Sequence, residues 1–287
     1  MSSKVAYVTG GMGGIGTVIC QRLAKDGFTV IAGCGPNRDF QKWLGEQAEL
    51  GYTFHASVGN VADWDSTVET FKKVFADFGR VDVLVNNAGI ANMGPLALQS
   101  LDQFKPHFDV NVFGLLRASQ AFAPLLGMDE TLAGKPGRII NITSVGGKLA
   151  SPFLGAYTAT KHAVESITDS LRRELVIFGI DAIAVGPGAV RTPIWDKAEQ
   201  DNSGNPYSNS PWAKPIEKFT ETMLEGGRTG LDPQVIAETI ETALTTTKPK
   251  ARYAPVPDKL TNFTLPMLLP KRFIDGFFWK RFGMVPK

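Results

Sequence analysis

The chain is poor in the residues that build disulfide frameworks and metal sites. It has two cysteines, Cys20 and Cys34, and three histidines, His55, His107 and His162, in 287 residues. Neither set has ligand spacing, so no metal site and no disulfide staple is expected. Free thiols suit a reducing, cytoplasmic setting. No apolar run is long enough to cross a bilayer. The first residues lead straight into a glycine loop rather than through a secretory leader. Excess charge of either sign is missing too, with 30 Lys and Arg against 28 Asp and Glu. A net charge of +2 offers no field for nucleic acid.

What is present is a regular alternation of short apolar runs and helical patterns. Strands are predicted over 5–9, 28–32, 52–57, 81–85, 138–143 and 180–185. Helices are predicted over 15–25, 40–50, 64–78 and 157–178, with a helical region over 101–126. The strands are nearly continuously apolar, as strands are when helices cover both faces of a parallel sheet. Alternation of this kind gives βαβ units with right-handed crossovers. The expected fold is therefore α/β: a doubly wound, Rossmann-type parallel sheet in a single domain, with a helical substrate lid and a C-terminal extension. Residues 1–90 form its cofactor half, 91–192 its catalytic half, 193–232 a substrate loop or lid, and 257–287 the extension. The polar stretch 196–215 reads as a loop or lid. Asp232 and Pro233 open a helix over 233–246, and 251–256 is a candidate edge strand.

The loop "VTGGMGGIG" joins the first strand to the first helix and places Gly10, Gly14 and Gly16 in the pattern TGxxxGxG, with Gly11 and Ile15 between them. Such glycines permit a tight turn, a close approach to a pyrophosphate and close helix–strand packing. The helix N-terminus then offers N–H groups to phosphate. A purely structural turn is the alternative. The second strand runs out into Gly35, Pro36, Asn37 and Arg38, with no acid before Asp39. An acid there would hold a ribose 2′-OH and repel a 2′-phosphate. A small-residue turn followed by a cation suits the phosphate, unless Arg38 merely faces solvent.

Four further signals follow in order: "NNAG" at residues 86–89, "NVFG" at 111–114, Ser144 in "ITSVGG", and Tyr157 with Lys161 in "YTATK". Tyr157 and Lys161 stand four apart and share a helical face. An ammonium beside a phenol favours the phenolate, so the pair is expected to lower the Tyr157 pKa and act as a tunable acid/base. Ser144, just past the fifth strand, could hold a substrate oxygen. Asn111 could hold a water linking Lys161 to solvent. Each of these has a bland alternative, a chance pair, a cap or a surface amide. Their joint occurrence in this order, each at a strand's carboxyl end, argues against accident.

These motifs resemble the short-chain dehydrogenase/reductase family over about residues 3–195. "GPGAVRT" at 186–192 is similar to that family's PG motif. The resemblance implies an NADP(H)-dependent oxidoreductase. It implies Tyr157 as general acid/base, Lys161 as the group that lowers its pKa and binds the nicotinamide ribose, Ser144 as the substrate-oxygen ligand, and Asn111 as part of a proton relay. Asn60, Val61, Asn87, Ala88 and Gly89 would line the cofactor. Pro187, Gly188, Val190 and Thr192 would hold its nicotinamide end. Ser144, Leu149, Phe153, Tyr157, Ile194 and Trp195 would form the substrate pocket, whose apolar character implies a hydrophobic ketone, aldehyde or secondary alcohol. The alternatives are an acetoacetyl-CoA or 3-oxoacyl reductase, and a nucleotide-binding regulatory protein without turnover. Residues 1–90 resemble bacterial acetoacetyl-CoA reductases, whereas residues 91–287 look like relatives acting on hydrophobic alcohols and ketones. That contrast suggests a chimera joined near 86–90. A homo-oligomer, dimer or tetramer, is the expected state. Arg191 is expected at the surface. The aromatic and basic tail, with Phe273, Phe277, Phe278, Trp279, Lys271, Arg272, Lys280 and Arg281, would form an interfacial membrane anchor, a cover for the cleft or a packed contact. Packing is the preferred reading.

Overall fold

Val5–Thr9 is buried along its whole length, and this apolar run forms the central strand β1. Around it lie β2 (Thr29–Cys34), β3 (His55–Val58), β4 (Val83–Asn86), β5 (Arg138–Ile142), β6 (Asp181–Val185) and β7 (Arg252–Tyr253). The order across the sheet is β3-β2-β1-β4-β5-β6-β7, with every pairing parallel. This computed structural model describes residues 4–192 and 206–284. The chain reverses its direction of travel between β1 and β4, which opens a crevice at the carboxyl ends of those strands.

Helices cover both faces: α1 (Gly14–Lys25), α2 (Phe40–Glu49), α3 (Trp64–Phe78), α4 (Leu101–Phe108), α5 (Leu115–Phe122), α6 (Gly155–Glu174), α7 (Ala213–Arg228), α8 (Pro233–Thr245) and α9 (Lys271–Phe282). Local chemistry fixes several ends. The Asp39, Asp63 and Asp232 carboxylates accept from backbone N–H groups at the starts of α2, α3 and α8. Ser100 and Gln103 form a reciprocal capping box at α4. One apolar layer joins Ile19, Leu23, Val30, Val85, Ile140, Ile183 and Ile240. The other joins Tyr7, Ile31, Leu84, Phe122, Leu126 and Ile139.

Three expectations change. The helical region over 101–126 is not continuous, because a π-helical turn, Asp109–Gly114, separates α4 from α5. The polar stretch read to 215 as loop gives way to helix at Ala213. Ile216, Phe219 and Met223 recur there at helical spacing, and they pack with Phe153, Phe278 and Phe282. The last strand shrinks from 251–256 to Arg252–Tyr253, since Pro255 and Pro257 lack the N–H a ladder needs.

Candidate active site

The glycine loop crosses the sheet's carboxyl edge between β1 and α1. Gly10 has φ +61°, a left-handed conformation that glycine adopts without penalty. A Cβ on Gly16 would overlap the Gly10 carbonyl oxygen and stand 2.8 Å from Gly11 Cα. The Gly11 N–H donates to the Gly33 carbonyl at 2.8 Å, which ties the loop to β2. Gly14 and Ile15 open α1, whose N-cap, Gly13, has no side chain to cap it. The first-turn N–H groups are therefore available to an anion.

Beside this cradle, the Arg38 guanidinium donates to the Met12 carbonyl at 2.9 Å. The cation expected at the end of β2 thus lies against the glycine loop rather than pointing away. Gly35, Pro36 and Asn37 are exposed, and no described atom lies within 4 Å of where a Gly35 Cβ would stand. Asn60 closes its own turn by accepting from Ala62 N at 3.1 Å. Val61 packs on Gly114, whose added Cβ would meet Val61 at 3.0 Å. Asn87 donates to the Thr9 and Gly10 carbonyls at 3.1 and 3.0 Å, and the Asn87 and Ala88 N–H groups donate to Thr9 Oγ1. The loop after β4 is stitched to the glycine loop in this way. A cleft with an uncapped helix end, a glycine at position 16 that leaves no room for a Cβ, and a cation against the loop whose neighbouring Asp39 is engaged in capping α2 fits a dinucleotide bearing a 2′-phosphate.

The catalytic set meets where β5 ends. Ser144 leaves the strand in extended conformation, and its Oγ accepts from Gly146 N at 3.0 Å. A Cβ on Gly146 would stand 3.4 Å from Ser144 Oγ and 3.6 Å from Tyr157 Cε1, so the two side chains are neighbours. Lys161 Nζ lies 5.6 Å from the centre of the Tyr157 ring and donates to the Ile142 carbonyl at 2.9 Å. A Cβ on Gly89 would stand 3.8 Å from Lys161 Nζ and 3.3 Å from Asn111 Oδ1, so the loop after β4, the π-helical turn and α6 converge within one residue's reach.

One sequence reading is corrected by this geometry, and another is given its surroundings. Both Asn111 amide hydrogens are engaged, while its Oδ1 accepts one bond and keeps a second lone pair. Its Oδ1 accepts from Ile90 N at 2.8 Å, and its Nδ2 donates to Ile90 O and Thr160 Oγ1 at 2.9 and 3.0 Å. It braces the loop after β4 against α6. The Tyr157 phenol is not lowered. Burial pushes it above its ordinary value, and the neighbouring Ser144 side chain only partly opposes that. Burial also pulls Lys161 down from 10.5 to about 8, with Glu165 acting in the opposite sense. A lysine whose own pKa falls to about 8 supports a neighbouring phenolate only below that pH.

Glu165 and Arg252 were not singled out in the sequence. Glu165 is 6% exposed on α6. Thr143 Oγ1 donates to it at 2.6 Å, Arg252 Nε at 2.9 Å, and Lys148 Nζ pairs with it at 3.2 Å. Arg252 also donates to the Ser144 carbonyl at 3.2 Å. Residues 142, 143 and 144 are thus held by Lys161, Glu165 and Arg252 in turn. The signal was available: Tyr157, Lys161 and Glu165 are spaced by four along one helical face.

The remaining site residues are placed as follows. Pro187 accepts from Val145 N at 2.9 Å, Gly188 donates to Pro255 O at 3.0 Å, and Val190 bridges to Leu231. Thr192 is half-buried. Arg191 is exposed as expected, and it pairs with Asp232 at 2.8 Å. Leu149 is half-buried beyond Ser144. Phe153 has φ +62° and is buried against Phe219, ring centres 5.5 Å apart. Ile194 and Trp195 lie outside the described residues. His107 is fully buried between Asn92 N and Gln103 O. The described residues contain no cluster of His, Cys, Asp and Glu able to hold a metal. They contain no helix long and apolar enough to cross a membrane.

Compared with known proteins, residues 4–203 match the family described as short chain dehydrogenase. An NADPH-dependent 3-dehydrocapnine reductase of Ornithobacterium rhinotracheale is 34% identical over 280 residues, 96% of each chain. An acetoacetyl-CoA reductase of Cupriavidus necator is 42% identical over 202 residues, 70% of this chain and 80% of the relative. A short-chain dehydrogenase from Streptomyces avermitilis superposes with a TM-score of 0.76 at 28% identity, over 98% of this chain and 97% of that one. The chain belongs to the short-chain dehydrogenase family. It is an oxidoreductase with a nicotinamide cofactor, NADP(H). A 202-residue match within 287 residues has to cross the 86–90 seam, as does the 280-residue match. Neither gives evidence of two parents.

Proposed function

We propose that the chain uses NADPH to reduce the carbonyl of a hydrophobic ketone or aldehyde, or runs the reverse oxidation of a secondary alcohol. The observation that carries this reading is the neighbouring Ser144 and Tyr157 side chains, with Lys161 Nζ 5.6 Å from the Tyr157 ring, at the mouth of the dinucleotide cradle. The dinucleotide, when bound, supplies the hydride. Ser144 Oγ holds the substrate oxygen. Tyr157 Oη gives that oxygen its proton, so hydride and proton together convert C=O into CH–OH. Raising the phenol's pKa through burial keeps Tyr157 protonated and ready as an acid, which suits reduction. Lys161, with a pKa of about 8, exchanges a proton near neutral pH and restores the phenol. Asn111 keeps Ile90 and Thr160, and with them the wall of the site, in register.

Two relatives support the cofactor and the direction: one is named an NADPH-dependent 3-dehydrocapnine reductase and one an acetoacetyl-CoA reductase. The apolar Leu149 and Phe153 support a hydrophobic substrate. The test is NADPH consumption with a panel of hydrophobic ketones, 3-dehydrocapnine and acetoacetyl-CoA. Tyr157→Phe is expected to abolish turnover while leaving NADPH binding intact. A kcat/KM for acetoacetyl-CoA above that of every hydrophobic ketone would replace this reading with the thioester one.

A further inference from the structure

The C-terminal segment divides into two faces. Phe278, Phe282 and Met284 turn inward, onto Phe219 and Phe153. Of the rest, Phe263 is buried against the Arg252 guanidinium, and most of the other large apolar residues are exposed. Eight of the nineteen exposed large hydrophobic residues fall between Leu260 and Trp279. Leu268 is 76% exposed, Phe273 63% and Phe277 54%. A helix that is apolar on both faces is normally buried on both, so α9 lacks a partner for its outer face. An apolar groove of about 460 Å³ opens beside it, lined by Leu96, Phe153, Trp212, Phe278 and Trp279.

Charge identifies the partner. Residues 257–287 carry six Lys and Arg against two Asp, a net +4, whereas the remaining chain is net −2. One of the two acids, Asp275, is already paired with Arg272. Lys259, Lys271, Arg272, Lys280 and Arg281 are all exposed around the apolar residues, and Arg281 stacks over Phe277 at 6.0 Å. A second copy of the chain docking here about a two-fold axis would bring two net-positive surfaces together. A bilayer surface bearing anionic headgroups satisfies both features at once. The exposed leucines and phenylalanines enter the acyl boundary while the cations remain among the headgroups. We propose that residues 258–284 form an interfacial docking surface for an anionic membrane, with the groove facing the lipid.

The experiment is co-sedimentation of the full chain with phosphatidylcholine vesicles, with and without phosphatidylglycerol. Binding is expected only with phosphatidylglycerol, and it should weaken as salt is raised. Phe273→Glu with Phe277→Glu is expected to lower partitioning at least tenfold. Lys271→Gln and Arg281→Gln should each lower it about fivefold. These side chains are exposed and outside the catalytic set, so the variants should keep wild-type melting and NADPH turnover. Protein that stays in the supernatant with phosphatidylglycerol vesicles overturns the proposal. So does a dimer, measured by light scattering without lipid, that the double Phe variant dissociates, because the face would then be a subunit contact.

Discussion

Glu165→Gln probes the coupling between Lys161 and the strand that carries Ser144. With Glu165 in place, burial already holds Lys161 at about 8. Two charges about 6 Å apart, one helical turn, interact by about 3 kcal/mol at an effective dielectric near 20, or about two pKa units. Arg252 and Lys148 share the same carboxylate, so the part felt by Lys161 is about one unit. Its loss takes Lys161 to about 7, and the phenolate loses part of its neighbouring charge at neutral pH. Alcohol oxidation, which needs the phenolate, should fall about twofold at pH 7, as the charged fraction of Lys161 drops from about nine-tenths to about one-half, and the difference from wild type should vanish above about pH 9, where Lys161 is uncharged in both. Arg252 and Thr143 also lose their buried partner, so stability should fall by about 3 kcal/mol. Glu165→Asp retains the charge and should keep the wild-type pH dependence. The assays are a pH–rate profile in the oxidative direction and urea denaturation of the same preparations. A folded Glu165→Gln variant with an unchanged pH–rate profile would refute the coupling.

Three further outcomes are expected. Arg38→Ala should raise KM for NADPH by about ten- to a hundredfold, the equivalent of one charge-assisted hydrogen bond to phosphate, and leave KM for NADH unchanged; equal effects on both would place Arg38 outside the 2′-phosphate site. The cofactor-free protein should gain stability between about pH 8 and pH 10.5. Lys161 titrates near 8 when folded and near its ordinary value when unfolded, so the unfolded chain holds more protons in that window and stability rises with pH, by roughly 3 kcal/mol. Denaturant midpoints of wild type and Lys161→Met across that window check the sign, because the variant should lose the slope. Phe219→Ala should cost about 3–5 kcal/mol, since it empties the centre of the cluster joining α7, Phe153 and Phe282; a denaturation midpoint within error of wild type would show that the cluster does not support the fold.

The parallel sheet and the order of the catalytic residues were legible because each rests on local information. Buried strands are continuous apolar runs, and Tyr157 and Lys161 are linked by helical spacing alone. What escaped depended on contacts between distant segments. Arg252 and Glu165 are 87 residues apart, and nothing local in "KPKARYAP" announces that one of its cations is buried. The direction of the Tyr157 shift escaped for a related reason: spacing reveals a neighbouring charge, while desolvation depends on everything packed around it. Helix α7 was hidden because its apolar residues follow a polar stretch and find partners only in Phe153 and the tail.

The clamp at the end of β5 also bears on when the protein can work during its own synthesis. By residue 161 the ribosome has made the glycine loop, Ser144, Tyr157 and Lys161. Arg252, which grips the Ser144 carbonyl and neutralises Glu165, is made about ninety residues later. A nascent chain or a truncated product lacking β7 therefore has every reacting side chain and no fixed seat for the serine. It leaves Glu165 without its arginine on the catalytic helix. If Arg252 positions Ser144 for the proposed reduction, full turnover requires β7.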